Sequence, residues 1–479
     1  MNNIHNNNNL NPQNNVSPTA LPQCNPSSFA TAIMDINWND YKQKIDGFGV
    51  SQASYSHVIY LLPEPTRSEI MDLLFTQNKG VGFSILRGEV FPTFNPEAGI
   101  YNFDSRPDQN WILKEAQNRK VDKLILTAWT PPAWMKSNNS TIRGFLNTEN
   151  YTDFAKLLSK TISAYKQNHG IDLFGISPAN EPTTALFANW ASCSWNGSQL
   201  SDFIANHLKQ GMIDESVSEK KVYLGENTNW SEAIAIPSLE DSESEPRVDI
   251  VASHAYTATG MSNGDEPPFT VARNQGKSVW MTEVCDDKIW PPDYSIDDGI
   301  KFAKQIHNFL TIPEINAYLF WVGCIYAGNN EGLIFAEVEK DSEGNSIINP
   351  DAPYAGDNAY IYTGTYTTAK RLYTIGQFSK FIRPGYHRIN VDNFPLAGIS
   401  LSAYRGETMY EFAIVAVNET TEEITVGIPS TNIIPSVLSS YVTDQNLNLE
   451  KVAEFGKQFD GNFYVTLPPR SVVTVVPST

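Results

Sequence analysis

The sequence predicts a (β/α)₈ barrel fused to a carboxyl-terminal antiparallel β-sandwich. Three observations carry that prediction. Eight short apolar runs recur between residues 46 and 323. Helical patterns separate most of them. From Tyr386 onward the rhythm changes to alternating strands with turn residues between them. Near-continuous apolar strands are buried on both faces, as in parallel sheets. Eight such units in roughly 330 residues suit a barrel, a fold that runs from about 200 to over 400 residues.

The elements follow in order. DGFGVS (46–51) is a short Gly-rich strand, and a helical stretch through SEIMDLLF follows it. VGFSILRGEV (81–90) is the second run; a helix near NWILKEAQN leads to the third, KLILTAWTPP (123–132). A long helix starts at Tyr151 and ends near His169, before LFGISPANEP (173–182). VYLGENTN (222–229), DIVASHAY (249–256), SVWMTEV (278–284) and INAYLFWVG (315–323) complete the eight, the last preceded by a helix around IKFAKQIHNFL. A doubly wound open sheet would need a Gly-rich phosphate turn after its first strand, and GFG followed by VSQAS is not one.

The expected division is four-part. Residues 1–29 form an Asn-rich, low-complexity tail expected to be disordered. Residues 30–37, with TAIMDIN, form a strand that joins the side domain. Residues 38–385 make the catalytic barrel, and residues 386–479 the sandwich, through YEFAIVAVNE, EEITVGIP, SVLSSYVT and NFYVTLPPRSVVTVVP. This sandwich is either a sugar-binding module or a buttress; we expect a buttress, because the strand at 31–37 supports a domain built from both ends of the chain, and no aromatic stripe clearly marks a binding face.

Composition excludes several classes. Thirty-four basic and 53 acidic residues give a net charge of -19. Nucleic acid and anionic lipid need clustered Lys and Arg, so neither is expected as a partner. No apolar run reaches the roughly 18 residues of a membrane span. The amino terminus has no basic start and no apolar core of a signal peptide. Cysteines 24, 193, 285 and 324 are too few for a disulfide scaffold and too scattered for a zinc site. They are expected as buried thiols, although Cys285 and Cys324 fall near the ends of neighbouring strands. No metal or cofactor is expected.

Function in a barrel sits at the carboxyl ends of the strands. Those ends deliver Arg87 and Glu89, Trp129 and Trp134, Asn180 and Glu181, Glu226 and Asn227, His254 and Tyr256, Glu283, and Trp321. Carboxylates, amides and aromatic faces together suit a sugar, whose ring has apolar faces and a hydroxyl rim. Two carboxylates from separate strands suit glycoside hydrolysis, where one protonates the leaving oxygen and the other attacks. Glu181 and Glu283, on opposite sides of the ring, are the best pair. The bland reading of any one strand-end glutamate is a salt-bridged carboxylate; for His254 it is a buried structural histidine. Trp190 and Trp195 either form a sugar platform or pack their loop.

Six motifs in order, Gly47-Phe48-Gly49, GFSILR (82–87), Asn180-Glu181-Pro182, ASHAY, VWMTEV and FSKFIRPGY (378–386), resemble glycoside hydrolase family 30, over roughly residues 38 to 479. Within it the chain most resembles the glucuronoxylan endo-xylanases. The resemblance implies a retaining mechanism, with Glu181 as general acid/base and Glu283 as nucleophile. It implies that Asn180 holds the sugar's 2-hydroxyl, that Trp129, Tyr256 and Trp321 line the same subsite, and that Arg87 lies beneath the nucleophile. Trp134 is a further substrate-contact candidate. The glucuronoxylan-specific members carry an arginine just after the eighth strand. Here WVGCIYAGNNEGLIFAE (321–337) contains neither Arg nor Lys. The expected enzyme is therefore a secreted, monomeric endo-β-1,4-xylanase acting on xylan without depending on glucuronate side groups. The alternatives are a β-1,6-galactanase or β-1,6-glucanase, a chain-end-acting xylobiohydrolase with MSNGDEPPFT (261–270) as cleft blocker, or a carbohydrate-binding protein with an inactive barrel.

Overall fold

The computed structural model describes residues 32–328, 330–350, 352, 359–392 and 396–478. The Asn-rich tail and Cys24 lie outside them.

Eight parallel strands close into a barrel: β1 (Gly47–Ser51), β2 (Ile85–Glu89), β3 (Lys123–Thr127), β4 (Gly175–Ser177), β5 (Lys221–Asn227), β6 (Ile250–His254), β7 (Ser278–Glu283) and β8 (Ala317–Phe320). β8 pairs with β1 to seal the ring. The predicted fold class is therefore the observed one. The strands sit inside a jacket of helices because they are apolar on both faces. Ile296–Thr311 shows how the jacket is specified: the Ser295 hydroxyl caps its start, Asp297 and Asp298 occupy its positive end, and Phe302, Ile306, Phe309 and Leu310 face inward.

The barrel's amino-terminal half is plugged. Ile85, Ile125, Tyr223, Ile250, Trp280 and Leu319 fill the interior. Phe174 stacks on Trp280, whose indole Nε1 donates to Asp46 Oδ2 at 2.8 Å. A filled floor leaves only the carboxyl ends of the strands for chemistry.

The eighth apolar run divides in the fold. β8 stops at Phe320, Trp321 makes a bend, and Val322–Tyr326 starts a separate sheet with Gly332–Val338 and Tyr362–Thr368. The Gln52 side chain fixes this departure, donating to Cys324 O at 2.7 Å and accepting from Cys324 N at 3.0 Å.

The side domain is a sandwich. One layer is a seven-stranded antiparallel sheet, which includes the amino-terminal strand Asp35–Lys44 paired with His387–Asp392. The amino-terminal strand runs past Asn37 because Trp38 continues its buried face. The other layer pairs Ala32–Ile33, Ile424–Pro429 and Asn462–Leu467. Ile36, Trp38, Ile414, Val426, Ile428 and Phe463 form the core between the layers. The barrel domain anchors it: Thr474 donates to Gln377 O on the helix Lys370–Ser379 at 2.7 Å, and Arg388 reaches Glu314, in the segment before β8, at 2.6 Å. No helix among the described residues is long and apolar enough to cross a membrane.

Candidate active site

Local backbone geometry aims the functional side chains. β4 is only three residues long, because Pro178 ends its ladder. Three residues after Pro178, Glu181 adopts φ 47°, a left-handed conformation that an L-residue enters at a cost. Its amide donates to Glu226 O at 2.9 Å. Glu226 has φ 47° as well, and it sits in a bulge where the β5–β6 register shifts. Gly225 permits that bulge: its φ is 116°, and a β-carbon there would lie 2.4 Å from Ala252 O. A second bulge shifts β7 against β6 between Met281 and Glu283. Bulges of this kind re-aim side chains at sheet ends.

Arg87 is the hub. Its buried guanidinium donates from Nη1 to Glu283 Oε2 at 2.6 Å, from Nη2 to Asn180 Oδ1 at 2.6 Å and from Nε to Thr127 Oγ1 at 3.1 Å. Glu226 lies 3.3 Å from Nη2 and accepts from Thr127 at 2.9 Å. Tyr256 donates its hydroxyl to Glu283 Oε1 at 3.2 Å. Both oxygens of Glu283 are thus held. His254, fully buried, stands between the two candidate carboxylates. Its Nδ1 is 3.2 Å from Glu181 Oε1 and 3.8 Å from Glu283 Oε1. Its Nε2 faces Glu226 Oε1 at 3.9 Å, an ion pair across a gap rather than a hydrogen bond.

An oxygen of Glu181, an oxygen of Glu283 and a nitrogen of His254 all lie within 4.8 Å of one another. Among the described residues this trio is the one group near enough to share a cation. Binding one would compete with the contacts to Arg87, Tyr256 and within the trio itself.

Charge orders the cluster. Burial disfavours ionised Glu226, but Arg87 and then His254 outweigh it, holding its pKa down to about 2. Burial likewise opposes a charged His254, yet Glu283 and the hydrogen bond to Glu181 lift its pKa to about 9. Burial also opposes charge on Arg87, and Glu226 and Glu283 overcome it, so the guanidinium stays protonated. Burial raises Glu283, against the pull of His254 and Arg87. Burial, Cys285 and Glu283 push Tyr256 well above the ordinary phenol range, so it remains a donor.

Aromatic rings line the cleft. Arg87 lies over the Trp129 ring at 4.5 Å, and Trp129 meets Trp321 at 6.0 Å. The Trp321 Nε1 donates to Glu331 Oε2 at 3.2 Å. Seven of the sequence candidates, Arg87, Trp129, Asn180, Glu181, Tyr256, Glu283 and Trp321, are joined by these contacts. The eighth, Trp134, sits in the 3-10 turn Ala133–Met135 and donates to Asn95 O at 3.0 Å. It makes no ring contact among the described residues. Sequence reasoning passed over Thr127, which donates to Glu226, and Tyr223, whose hydroxyl meets Thr127 Oγ1 at 2.8 Å, and it favoured a structural over a catalytic His254. Thr127 ends β3, so its strand-end position was the available signal. Cys193, Cys285 and Cys324 are free and buried.

The same fold and domain plan occur in the family 30 subfamily 8 xylanase Xyn30A of Clostridium acetobutylicum, with a TM-score of 0.72, 28% identity, and coverage of 92% of this chain and 98% of that one. The model of glycosyl hydrolase family 59 matches residues 45–337. The chain belongs to this family 59 and family 30 group of glycosyl hydrolases. The hydrolase is also 25% identical over 465 residues to the glucuronoxylanase XynC of Bacillus subtilis (strain 168), covering 94% of this chain and 92% of that protein. An endo-1,6-beta-D-glucanase of Neurospora crassa is 23% identical to the hydrolase over 369 residues, 72% of this chain and 71% of that one.

Proposed function

We propose that this glycoside hydrolase is a retaining endo-β-1,4-xylanase. Glu181 protonates the leaving glycosidic oxygen while Glu283 attacks the anomeric carbon. Glu181 then takes a proton from the water that releases the glycosyl-enzyme. The observation that carries this reading is that one carboxylate oxygen of Glu181 lies within 4.8 Å of one of Glu283. Retaining enzymes hold the pair about 5–5.5 Å apart, whereas inverting ones leave about 6.5–9.5 Å for a water. Arg87 and Tyr256 hold the attacking carboxylate. By taking Asn180 Oδ1, Arg87 also turns the Asn180 amide nitrogen toward the cleft, as a donor for the sugar's 2-hydroxyl. Trp129 and Trp321 offer faces for the sugar ring.

Xylan is favoured because the relatives named xylanase or glucuronoxylanase are more similar in sequence, at 28% and 25% identity, than the endo-1,6-beta-D-glucanase at 23%. The absence of Arg and Lys from residues 321–337 supports cleavage that does not depend on glucuronate. Arg143 has its Nε on Ala188 O at 2.7 Å. The 261–270 insertion supports endo action. Gln305 donates to Ser262 O at 2.5 Å and Asn308 to Asn263 O at 2.9 Å, both from the helix Ile296–Thr311, and Trp230 in the loop after β5 donates to Pro267 O at 3.0 Å, which ties the insertion down at both ends. A polymeric substrate fits an enzyme that acts outside the cell. The second reading is a β-1,6-glucanase, favoured by the Neurospora relative.

The test is activity on linear xylan, glucuronoxylan, arabinoxylan, β-1,6-glucan and β-1,6-galactan, with product lengths. Mixed xylo-oligosaccharides from linear xylan fit the reading. Cleavage only at a fixed offset from each glucuronate, or of β-1,6-glucan alone, overturns it.

A further inference from the structure

Two loops at the carboxyl end of the barrel expose apolar side chains side by side. Phe187 is 85% exposed and Trp190 51%, in the loop that begins at Glu181; Ile142 and Phe145 are exposed in the loop after β3. Leaving an aromatic side chain in water forgoes the gain from burying it. Their neighbour Trp195 behaves differently: it is buried against Tyr151, Phe154 and Phe203, which makes it packing.

The exposed surface is built, not loose. Ile142 bridges Ala191 and Phe145 bridges Ser194. Ser192 N donates to Thr141 O and Ser194 N to Gly144 O, each at 2.9 Å. The buried ammonium of Lys136 straps the loops from beneath, donating to Thr130 Oγ1 at 2.8 Å and Ser192 O at 2.5 Å. The Nε of Arg143 closes the set on Ala188 O. Rigid aromatic faces bind at a low entropy cost.

Position and composition name the occupant. Thr184 N donates to Glu181 O and Phe187 N to Thr184 O, so two successive turns carry the chain from Glu181 to Phe187. The acid that protonates the leaving oxygen stands on the leaving-group side of the scissile bond, so the loop that follows it borders that side. In a chain with 18% charged residues, residues 137–145 and 182–196 contain a single charge, Arg143. The remainder is aromatic and aliphatic side chains among Asn, Ser and Thr, which matches a neutral glycan rather than a polyanion.

We infer that Phe187 and Trp190 form a stacking platform for the leaving-group part of the glycan chain, beyond the bond being cut. This inference rests on Glu181 being the general acid.

The test uses the full chain with Phe187→Ala, Trp190→Ala and the double variant. Each is assayed on soluble linear xylan and on 4-nitrophenyl β-xylobioside, whose leaving group is too short to reach far along the platform. The double variant is expected to raise KM for the polymer about tenfold and shift product lengths, with kcat/KM on the aryl glycoside within about twofold of wild type. An unchanged polymer KM and product profile overturns the platform. So does an equal loss on both substrates, which marks a structural role. If wild type instead cuts β-1,6-glucan, the xylan reading fails by itself. The same comparison on β-1,6-glucan and 4-nitrophenyl β-gentiobioside then decides the platform by the same two outcomes.

Discussion

Arg87 Nη1 lies 2.6 Å from Glu283 Oε2, with both side chains buried. The pair joins β2 to β7 across the barrel. It places a fixed positive charge on the carboxylate read as nucleophile and shares that cation with Glu226.

Arg87→Met is expected to lower kcat at least about a hundredfold, because the charge set against Glu283 is lost. It also deprives two buried carboxylates, Glu226 and Glu283, of their guanidinium partner, at a cost of about 3–5 kcal/mol of stability. Arg87→Lys keeps the charge without the three-way fork and should fall between. Urea unfolding beside steady-state kinetics checks both effects; a stable, fully active Arg87→Met protein would remove Arg87 from the account.

His254→Asn is expected to move the acidic limb of the kcat/KM profile to higher pH. The His254 cation lowers the Glu283 pKa; without it Glu283 stays protonated further up the scale. A pH–rate profile from pH 3 to 9 reads the shift. A purely structural histidine would change the amplitude and leave the limb in place.

Stability should be limited on both sides of neutrality. Glu226 has a folded pKa of about 2, below its ordinary 4.5. Its contribution is therefore present above about pH 4.5 and lost as pH falls through 2, a difference of up to about 3 kcal/mol. His254 is raised from 6.5 to about 9, so its contribution is present below about pH 6.5 and lost as pH rises through 9. Glu226→Gln should be less stable at pH 7 and should flatten the acid slope of urea midpoints measured between pH 5 and 2.5.

The two tryptophans of the fourth loop should behave oppositely. Trp195→Ala empties a site packed against Tyr151, Phe154 and Phe203, and should cost about 3–5 kcal/mol. Trp190→Ala removes an exposed ring and should change stability by no more than about 0.5 kcal/mol. Thermal unfolding of the two variants compares them directly.

The barrel was legible because its strands are short apolar runs, and the Glu181 and Glu283 positions because each ends one of them. The sheet of Val322–Tyr326, Gly332–Val338 and Tyr362–Thr368 was not legible. The eighth run stays apolar through the Trp321 bend, so composition gives no sign that the chain leaves the barrel there. His254 was underread for a related reason. Its burial shows in an apolar strand, but its partner Glu181 comes from a strand 73 residues earlier, and only the closed ring brings them together. Trp190 and Trp195 share one motif, and only the packing of the loop separates the exposed ring from the buried one.

In the proposed mechanism Glu283 attacks the sugar while Glu181 serves as acid and then base. Incubation with 2,4-dinitrophenyl 2-deoxy-2-fluoro-β-xylobioside, followed by peptide mass mapping, tests it most directly, because the fluorine slows release of a covalent intermediate. The expected result is a stoichiometric burst of dinitrophenol and one glycosyl adduct, on Glu283. An adduct on Glu181 or Glu226, or turnover with inversion of the anomeric centre and no adduct, would contradict it.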